Sequence, residues 1–355
     1  MSKLNLLEFK NSLEHLAFKP ENSLGRRFNV DQDSPYGNVL DPFLIDREKI
    51  RLSKSYRRLP HITQVLSPTI HHFVRNRSSH TNDVMNVASV VAHISGLNVY
   101  LSEAMASLHD VGQTPYGHSG EKYISLRTGK DFHHYVMSVI VAQFIERKGL
   151  GLNLTYETLL GALNHSRGPG QLFISKDSIQ EEILVMYADK IAYTFSDLND
   201  ALRTEIVRRD NIPTFAYYFG ENQRERVYRA IYELLKESKE VGSISFANGE
   251  AAEQFAKLRD WMFQNVYFRV NDIHEKKIFE KLDKCMDLLN GRFQTSQYLA
   301  LCLMTDEEVN LVSSASLNGG FSKLPFLELF SPIFDSEIDI FNADLDPNLF
   351  KKEYL

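Results

Sequence analysis

Apolar residues recur at three- and four-residue spacing along most of this chain and alternate with period two almost nowhere. That restricts the fold to packed helices, because a helix buries one stripe of its surface whereas a half-buried strand buries every second side chain. In 99–110, Leu101, Ala104, Met105 and Leu108 form one apolar face, and in 221–238 Val227, Ile231, Leu234 and Leu235 do the same. The spacing predicts helices over 47–59, 81–95, 99–110, 118–127, 134–148, 155–165, 179–204, 221–238, 250–268, 271–291 and 294–304. Residues 243–249 allow a short hairpin at most, and no segment repeats at a fixed period, which argues against a solenoid. The expected fold class is all-α.

Polar, glycine-bearing stretches at 20–41, 166–177, 208–220 and 313–320 punctuate the pattern. They suggest an N-terminal arm (1–43), a helical core (44–205), a C-terminal helical region (206–320) and a tail (321–355). The tail mixes Phe and Leu with acids and is expected to pack on the body or on a neighbouring subunit. At 355 residues, 43% hydrophobic and 24% charged, the chain reads as a soluble globular protein. No apolar run approaches the roughly 20 residues that cross a bilayer, and the N-terminus has no secretory apolar core. Only Cys285 and Cys302 are present, which suits a reducing compartment, so a cytoplasmic location is expected. A net charge of −6 argues against a general nucleic-acid binder. Yet 47–77 carries eight Lys or Arg against the single acid Glu48, either a seat for a small polyanion or a solvated helix face.

Several residues carry chemistry. His109 and Asp110 end an apolar helix and are followed by a turn with Gly112 and Pro115, which can direct both side chains into one cleft. Asp189 lies in an otherwise apolar stretch, where an unpaired carboxylate is costly to bury. Asp189, Tyr193 and Asp197 follow at i, i+4 and i+8 and share one helix face. His118 and Glu121 stand at i and i+3 after Gly117, an imidazole beside a carboxylate, as general acid–base work requires. Imidazoles and carboxylates spread over helices suit one divalent metal.

HDVGQTPYGHSGE at 109–121 resembles the HD-superfamily signature of deoxyguanosine triphosphate triphosphohydrolases, close to H-D-x-G-H-x-P-F-G-H-x-G-E. Further blocks are similar to that family in order: DREKIRLSKSYRRLPHITQV (46–65), RNRSSHTNDVMNVA (75–88), FHHYVMS (132–138) and YADKIAYTFSDLNDA (187–201). RDWMFQNVYF (259–268) and MTD (304–306) match weaker blocks. The resemblance, over roughly 45 to 306, implies an all-α HD-domain core with additional C-terminal helices. It implies a metal-dependent dNTP triphosphohydrolase releasing a deoxynucleoside and inorganic triphosphate. His80, His109, Asp110 and Asp189 would bind one divalent metal, Mg²⁺ or Mn²⁺ first, with Fe²⁺, Co²⁺ or Zn²⁺ as alternatives. His118, supported by Glu121, would be catalytic, with His134 matching another active-site histidine. Arg77 and Lys190 would hold the triphosphate, Gln64 and Asp197 would read the 3′-hydroxyl, and Tyr193 would lie against the sugar. Arg57 and Arg58 belong to the same basic block and would support phosphates or the fold. The resemblance also implies a homo-oligomer, a tetramer or hexamer, and a second dNTP as effector, with no membrane and no nucleic-acid partner expected.

Gln113 stands where the family has a second His beside the phosphates. It can still donate a hydrogen bond to substrate but cannot be protonated, which leaves a dNTP-binding regulator with impaired catalysis as one alternative. An HD phosphohydrolase acting on another nucleotide is the other. His165, at a helix end, reads either as a site residue or as a structural one; His93, on an apolar face, is expected in the core. His71 and His72 read as surface residues. Phe255, Trp261, Phe263 and Tyr267 are expected in the core or at a subunit interface rather than beneath a base.

Overall fold

The structure, a computed structural model, describes residues 5–28, 39–66, 73–166, 178–290, 297–314, 333 and 337–354. Thirteen α-helices run through these residues: α1 (Pro42–Leu52), α2 (Lys54–Arg58), α3 (Arg77–Ser95), α4 (Val99–Leu108), α5 (His118–Thr128), α6 (His134–Ile140), α7 (Tyr156–Asn164), α8 (Gln180–Arg203), α9 (Gln223–Val241), α10 (Gly249–Met262), α11 (Phe268–Asn290), α12 (Gln297–Leu303) and α13 (Asp306–Ser314). Among the described residues there are only isolated β-bridges, such as Thr63 to Asn76, and no sheet. The all-α expectation holds; 243–249 forms no hairpin.

Capping chemistry explains where the observed helices depart from the periodic pattern. Asp41 accepts from the Phe43 amide and Pro42 occupies the first turn, so α1 starts five residues before the apolar stripe does. Ser53 is extended and its hydroxyl accepts from the Tyr56 amide, which splits the expected 47–59 helix into α1 and α2. Asn76 and Ser79 form a reciprocal capping box, so α3 opens at Arg77. Gly96, in the left-handed conformation, ends it. Two expected helices contain a π turn, Val141–Ile145 after α6 and Phe263–Tyr267 between α10 and α11. Helix α13 was not anticipated: three acids and three polar residues in nine leave a weak stripe.

Helix α3 packs on both α4 and α8, and α4 also packs on α1 and α7. One apolar cluster joins α3, α8, α9 and α10 through Val84, Val91, Phe195, Leu234 and Phe255. A second joins α4 to α6 with α12 and α13 and includes Phe350 near the C-terminus. His93 is exposed, contrary to the core placement expected from its helix face. The face is apolar as a whole, but position 93 lies on its edge. His71 and His72 lie outside the described residues, as does most of the tail.

Buried polar groups tie the loops to this frame. Arg26 pairs with Asp46, which also accepts from the Thr155 amide and the hydroxyls of Thr155 and Thr158. Arg58 donates to four carbonyl oxygens, those of Cys302 (2.6 Å), Met304 (2.9 Å), Val111 (3.1 Å) and Gln113 (2.8 Å). It thereby fastens the loop after α4 to the segment after α12. Of the two roles left open for this arginine, the structural one is what its contacts describe.

Candidate functional site

Three mutually packed helices deliver the His and Asp side chains. His80 comes from the first turn of α3, His109 and Asp110 from the end of α4, and Asp189 from the middle of α8. His80 Nε2 lies 3.0 Å from Asp189 Oδ1, 3.4 Å from His109 Nε2 and 3.8 Å from Asp110 Oδ2, while His109 Nε2 is 3.5 Å from Asp110 Oδ2. Ligand atoms bound about 2.1 Å from one cation are separated by about 3.0 Å at right angles and about 3.4 Å at the tetrahedral angle. The observed spacing is of that size. His109 Nδ1 lies 2.6 Å from the Ala106 carbonyl, to which it donates, leaving a lone pair on the Nε2 that faces the cluster. The donor chemistry, two imidazole nitrogens and two carboxylates, therefore fits a divalent ion.

Electrostatics agree with the geometry. Burial alone would raise Asp110, but the Arg77 guanidinium and His109 outweigh it and hold the carboxyl well below its usual range. Asp189 is lowered in the same way, burial being overcome by the hydrogen bond and charge of His80. Both groups are thus anionic and ready to act as ligands.

Arg77 organises the cluster. Its guanidinium donates to Asp110 Oδ2 (3.0 Å), the Thr63 carbonyl (3.1 Å) and the Gln64 carbonyl (2.9 Å), and Nη2 lies 3.4 Å from His118 Nδ1. Most of its donors are committed to protein, so it acts on a ligand chiefly through its charge. Gly117, with φ of 57°, opens α5 against this guanidinium; a Cβ there would crowd Nη2, which explains a glycine at that turn.

Helix α5 presents His118 and Glu121. The His118 side chain is 66% exposed, and its Nε2 stands 4.0 Å from Glu121 Oε1. The cleft walls, and then the charges of Arg77 and His134, lower its pKa against the pull of Glu121, to about 4. Glu121 bonds more closely to His134, accepting from its Nδ1 at 3.0 Å and from its amide at 3.0 Å. Burial opposes the ionised carboxylate, but His134 overrides it and brings Glu121 down to about 2. His134 Nε2 in turn lies 3.3 Å from His165 Nε2 and 3.6 Å from Asp110 Oδ1.

A cavity of about 420 Å³ opens beside these groups. Gln64, Arg77, His80, Asp110, His118, Glu121, His134, Asp189, Lys190, Tyr193 and Asp197 all line it; His109 is buried just behind. Gln64 Oε1 is buried with no hydrogen-bond partner among the described residues. Burial, reinforced by Asp200, raises Asp197 to about 7 even though it accepts a 3.0 Å bond from the Tyr267 hydroxyl. Tyr193 receives a 3.1 Å bond from Arg259 Nε, and burial raises it to about 12.

Besides His109, Gln113 is absent from the lining. It is fully buried, its Oε1 accepts from the Thr114 amide at 3.0 Å, and its carbonyl belongs to the Arg58 clamp. Sequence reasoning also missed residues that do line the cavity. Phe263 and Tyr267 line it, Tyr267 packing against the core as well, and Tyr135 and Phe268 join them. Phe255 is in the core and Trp261 packs against it, as expected. His165 is buried in the cavity wall, which resolves its two readings in favour of placement at the site.

Residues 77–194 match the family model described as HD domain. A deoxyguanosinetriphosphate triphosphohydrolase-like protein of Desulfatibacillum aliphaticivorans is 38% identical over 253 residues, 68% of this chain and 72% of that protein. Proteins of the same description from Clostridium tetani and Caldanaerobacter subterraneus are each 33% identical, over 75% and 78% of this chain and 78% and 79% of theirs. This chain belongs to the deoxyguanosinetriphosphate triphosphohydrolase-like family. It is accordingly a phosphohydrolase of the HD superfamily. The matched segment, 77–194, begins at the arginine that organises the cluster and ends just past Tyr193, so it contains the whole His/Asp set. Gln113 and His133 occupy different settings. The first is buried under the loop and the second is exposed on the cavity rim, stacked on Tyr135 with ring centroids 4.8 Å apart.

Proposed function

We propose that this chain hydrolyses 2′-deoxynucleoside triphosphates at the α-phosphate, giving a deoxynucleoside and inorganic triphosphate. The observation that carries the reading is one cavity lined at once by His80, Asp110 and Asp189 of the His/Asp set, two cationic side chains and a group of polar and aromatic side chains. His80, His109, Asp110 and Asp189 would hold a divalent cation, which supplies Lewis-acid polarisation of a phosphoryl group and acidifies water. Lys190 and Arg77 place positive charge where a polyphosphate needs neutralising. His118 is the exposed ring; with Arg77 beside Nδ1, its Nε2 is the nitrogen that would hydrogen-bond the departing 5′-oxygen, whose proton comes from the attacking water. Glu121 and His134 form the paired support behind it. Gln64 Oε1 and Asp197 offer partners for the 3′-hydroxyl, and a required hydroxyl discriminates strongly because its absence strands buried polar groups. Tyr193 crowds the 2′ position and favours deoxyribose.

The test is a panel of the four dNTPs and the four rNTPs with Mg²⁺ or Mn²⁺, with chromatographic identification of products. Triphosphate released from dNTPs alone is the expected result. Pyrophosphate, or monophosphate hydrolysis in its place, would assign the chain to a different nucleotide reaction. His118→Ala should lower kcat by about 10²–10⁴ with little change in KM.

A further inference from the structure

The part of the cavity wall next to Asp197 differs in character from the His/Asp floor. Tyr267 meets it through its hydroxyl, which donates to Asp197 Oδ2 at 3.0 Å. The Phe263 ring packs edge-on against Tyr267, with centroids 5.1 Å apart, and Phe268 follows in the chain. Phe263 is half-buried and Phe268 is 50% exposed, so both rings keep uncovered surface at the cavity. Val65, beside Gln64 in the chain, adds an aliphatic side chain to the lining.

A π turn builds this wall. The Phe268 amide donates to the carbonyl of Phe263, five residues earlier. In a regular helix residues five apart stand about 140° apart and face different ways. The wider turn brings the fifth residue round to the side of the first, so Phe263, Tyr267 and Phe268 all reach the cavity. What these side chains lack is free hydrogen-bonding capacity. Val65, Phe263 and Phe268 carry no side-chain donor or acceptor, and the hydroxyl hydrogen of Tyr267 is committed to Asp197. The other aromatic pair in the lining, His133 and Tyr135, is stacked on itself at 4.8 Å and belongs with His134 and His165, which lie 5.7 and 6.3 Å from the Tyr135 ring.

We propose that Phe263 and Phe268 are the platform for the nucleobase, and that the site therefore selects the deoxyribose but not the base. The proposal rests on the cavity being a deoxynucleotide site, with the sugar at Gln64, Tyr193 and Asp197. A base carried by that sugar presents two π-faces and a polar edge. Among the described residues, the wall next to Asp197 meets it with aromatic and aliphatic surface alone. Stacking on an aromatic ring is open to every base, because each has a π-face. Selection among bases requires instead a donor or acceptor that the wrong base leaves unpaired. The four dNTPs should therefore be cleaved with kcat/KM values within about tenfold of one another, purines ahead through their larger stacking area.

The test is steady-state hydrolysis, with Mn²⁺, of the four dNTPs and of 1,2-dideoxyribose 5-triphosphate, which has no base. Wild type is compared with Phe268→Ala, at an exposed position, and with Phe263→Leu, which keeps apolar volume but loses the ring. Each variant should raise KM for all four dNTPs by about 5–150-fold, the span of one base–aromatic contact, with little change in kcat. The KM of the baseless analogue should stay where it is. An equal rise with the analogue would overturn the proposal and assign the rings to the fold or to a subunit interface. So would a wild type that favours one base by more than about a hundredfold, since that demands a hydrogen-bonding partner. A wild type that cleaves no dNTP would overturn the proposed reaction but not the platform, which calorimetric binding then decides. All four dNTPs held more tightly than the analogue, with the advantage lost in Phe268→Ala, would support it; equal affinity, or no binding, would overturn it.

Discussion

Arg58 shows how one side chain can be misjudged from charge alone. It sits in a basic stretch that suggests anion binding, yet its guanidinium is buried and spread over four carbonyl oxygens. Burial lowers its pKa to about 10, leaving it cationic at neutral pH. Arg58→Ala should destabilise the fold by roughly 3–5 kcal/mol, because four buried acceptors lose a charged donor at once. Arg58→Lys should recover only part of that, since a single ammonium cannot reproduce the fork; urea unfolding would show it. Asp197 gives the complementary case. Its folded pKa is about 7 against an ordinary 3.8, with burial as the main cause. An acid raised in the fold contributes stability that is complete below its unfolded pKa and is lost as pH rises through about 7. Asp197→Asn should therefore gain on the wild type between pH 5 and pH 8 in unfolding midpoint. A difference that does not vary with pH would contradict this assignment.

At the scale of elements, the loop from His109 to Gly117 is shaped by what packs around it. A Cβ at Gly112 would collide with the Ser138 amide nitrogen, so the loop lies directly on the backbone of α6. Helix α13 holds the other end. Asp306, its first residue, accepts from the amide and hydroxyl of Thr63 and from the Tyr116 amide at 2.7 Å. Tyr116 has a φ of 58°, and the helix carrying His118 starts two residues later. Asp306→Ala strands these buried donors and should cost about 1–3 kcal/mol per donor left without a partner. It should also lower kcat more than it raises KM, because His118 loses its setting. Asp306→Asn, which retains one acceptor oxygen, should fall between the two in melting temperature. Steady-state kinetics beside a melting curve would check both parts.

For the whole molecule, the His/Asp set is where three helices carrying the main core meet, so its occupancy bears on global stability. Asp110 and Asp189 are held anionic among imidazoles in a buried setting, and a cation there stabilises only the folded chain. Chelator treatment should lower the melting temperature, and re-adding Mn²⁺ or Mg²⁺ should restore it in a concentration-dependent way. The expected gain is about 2.7 kcal/mol at a hundredfold excess of metal over Kd. His80→Ala should abolish that dependence. No helix among the described residues is long and apolar enough to cross a membrane.

The amino-acid sequence by itself determined the helical class, the family and the helix-borne side chains that line the cavity. Asp189, Tyr193 and Asp197 share a stripe of one helix, and a stripe is a local property of helical periodicity. Adjacent residues such as His109 and Asp110, or His118 and Glu121 one turn apart, are legible for the same reason. Tertiary structure decided everything that depends on contacts between distant segments. Gln113 left the cavity because the loop turns its side chain inward under the Arg58 clamp, and His165 came to face His134 only because α7 ends beside α6. Phe263 and Tyr267 reached the cavity through a π turn inside an otherwise regular apolar stripe, which periodicity reads as core. Spacing along the chain reports which face a residue occupies; only packing determines what that face meets.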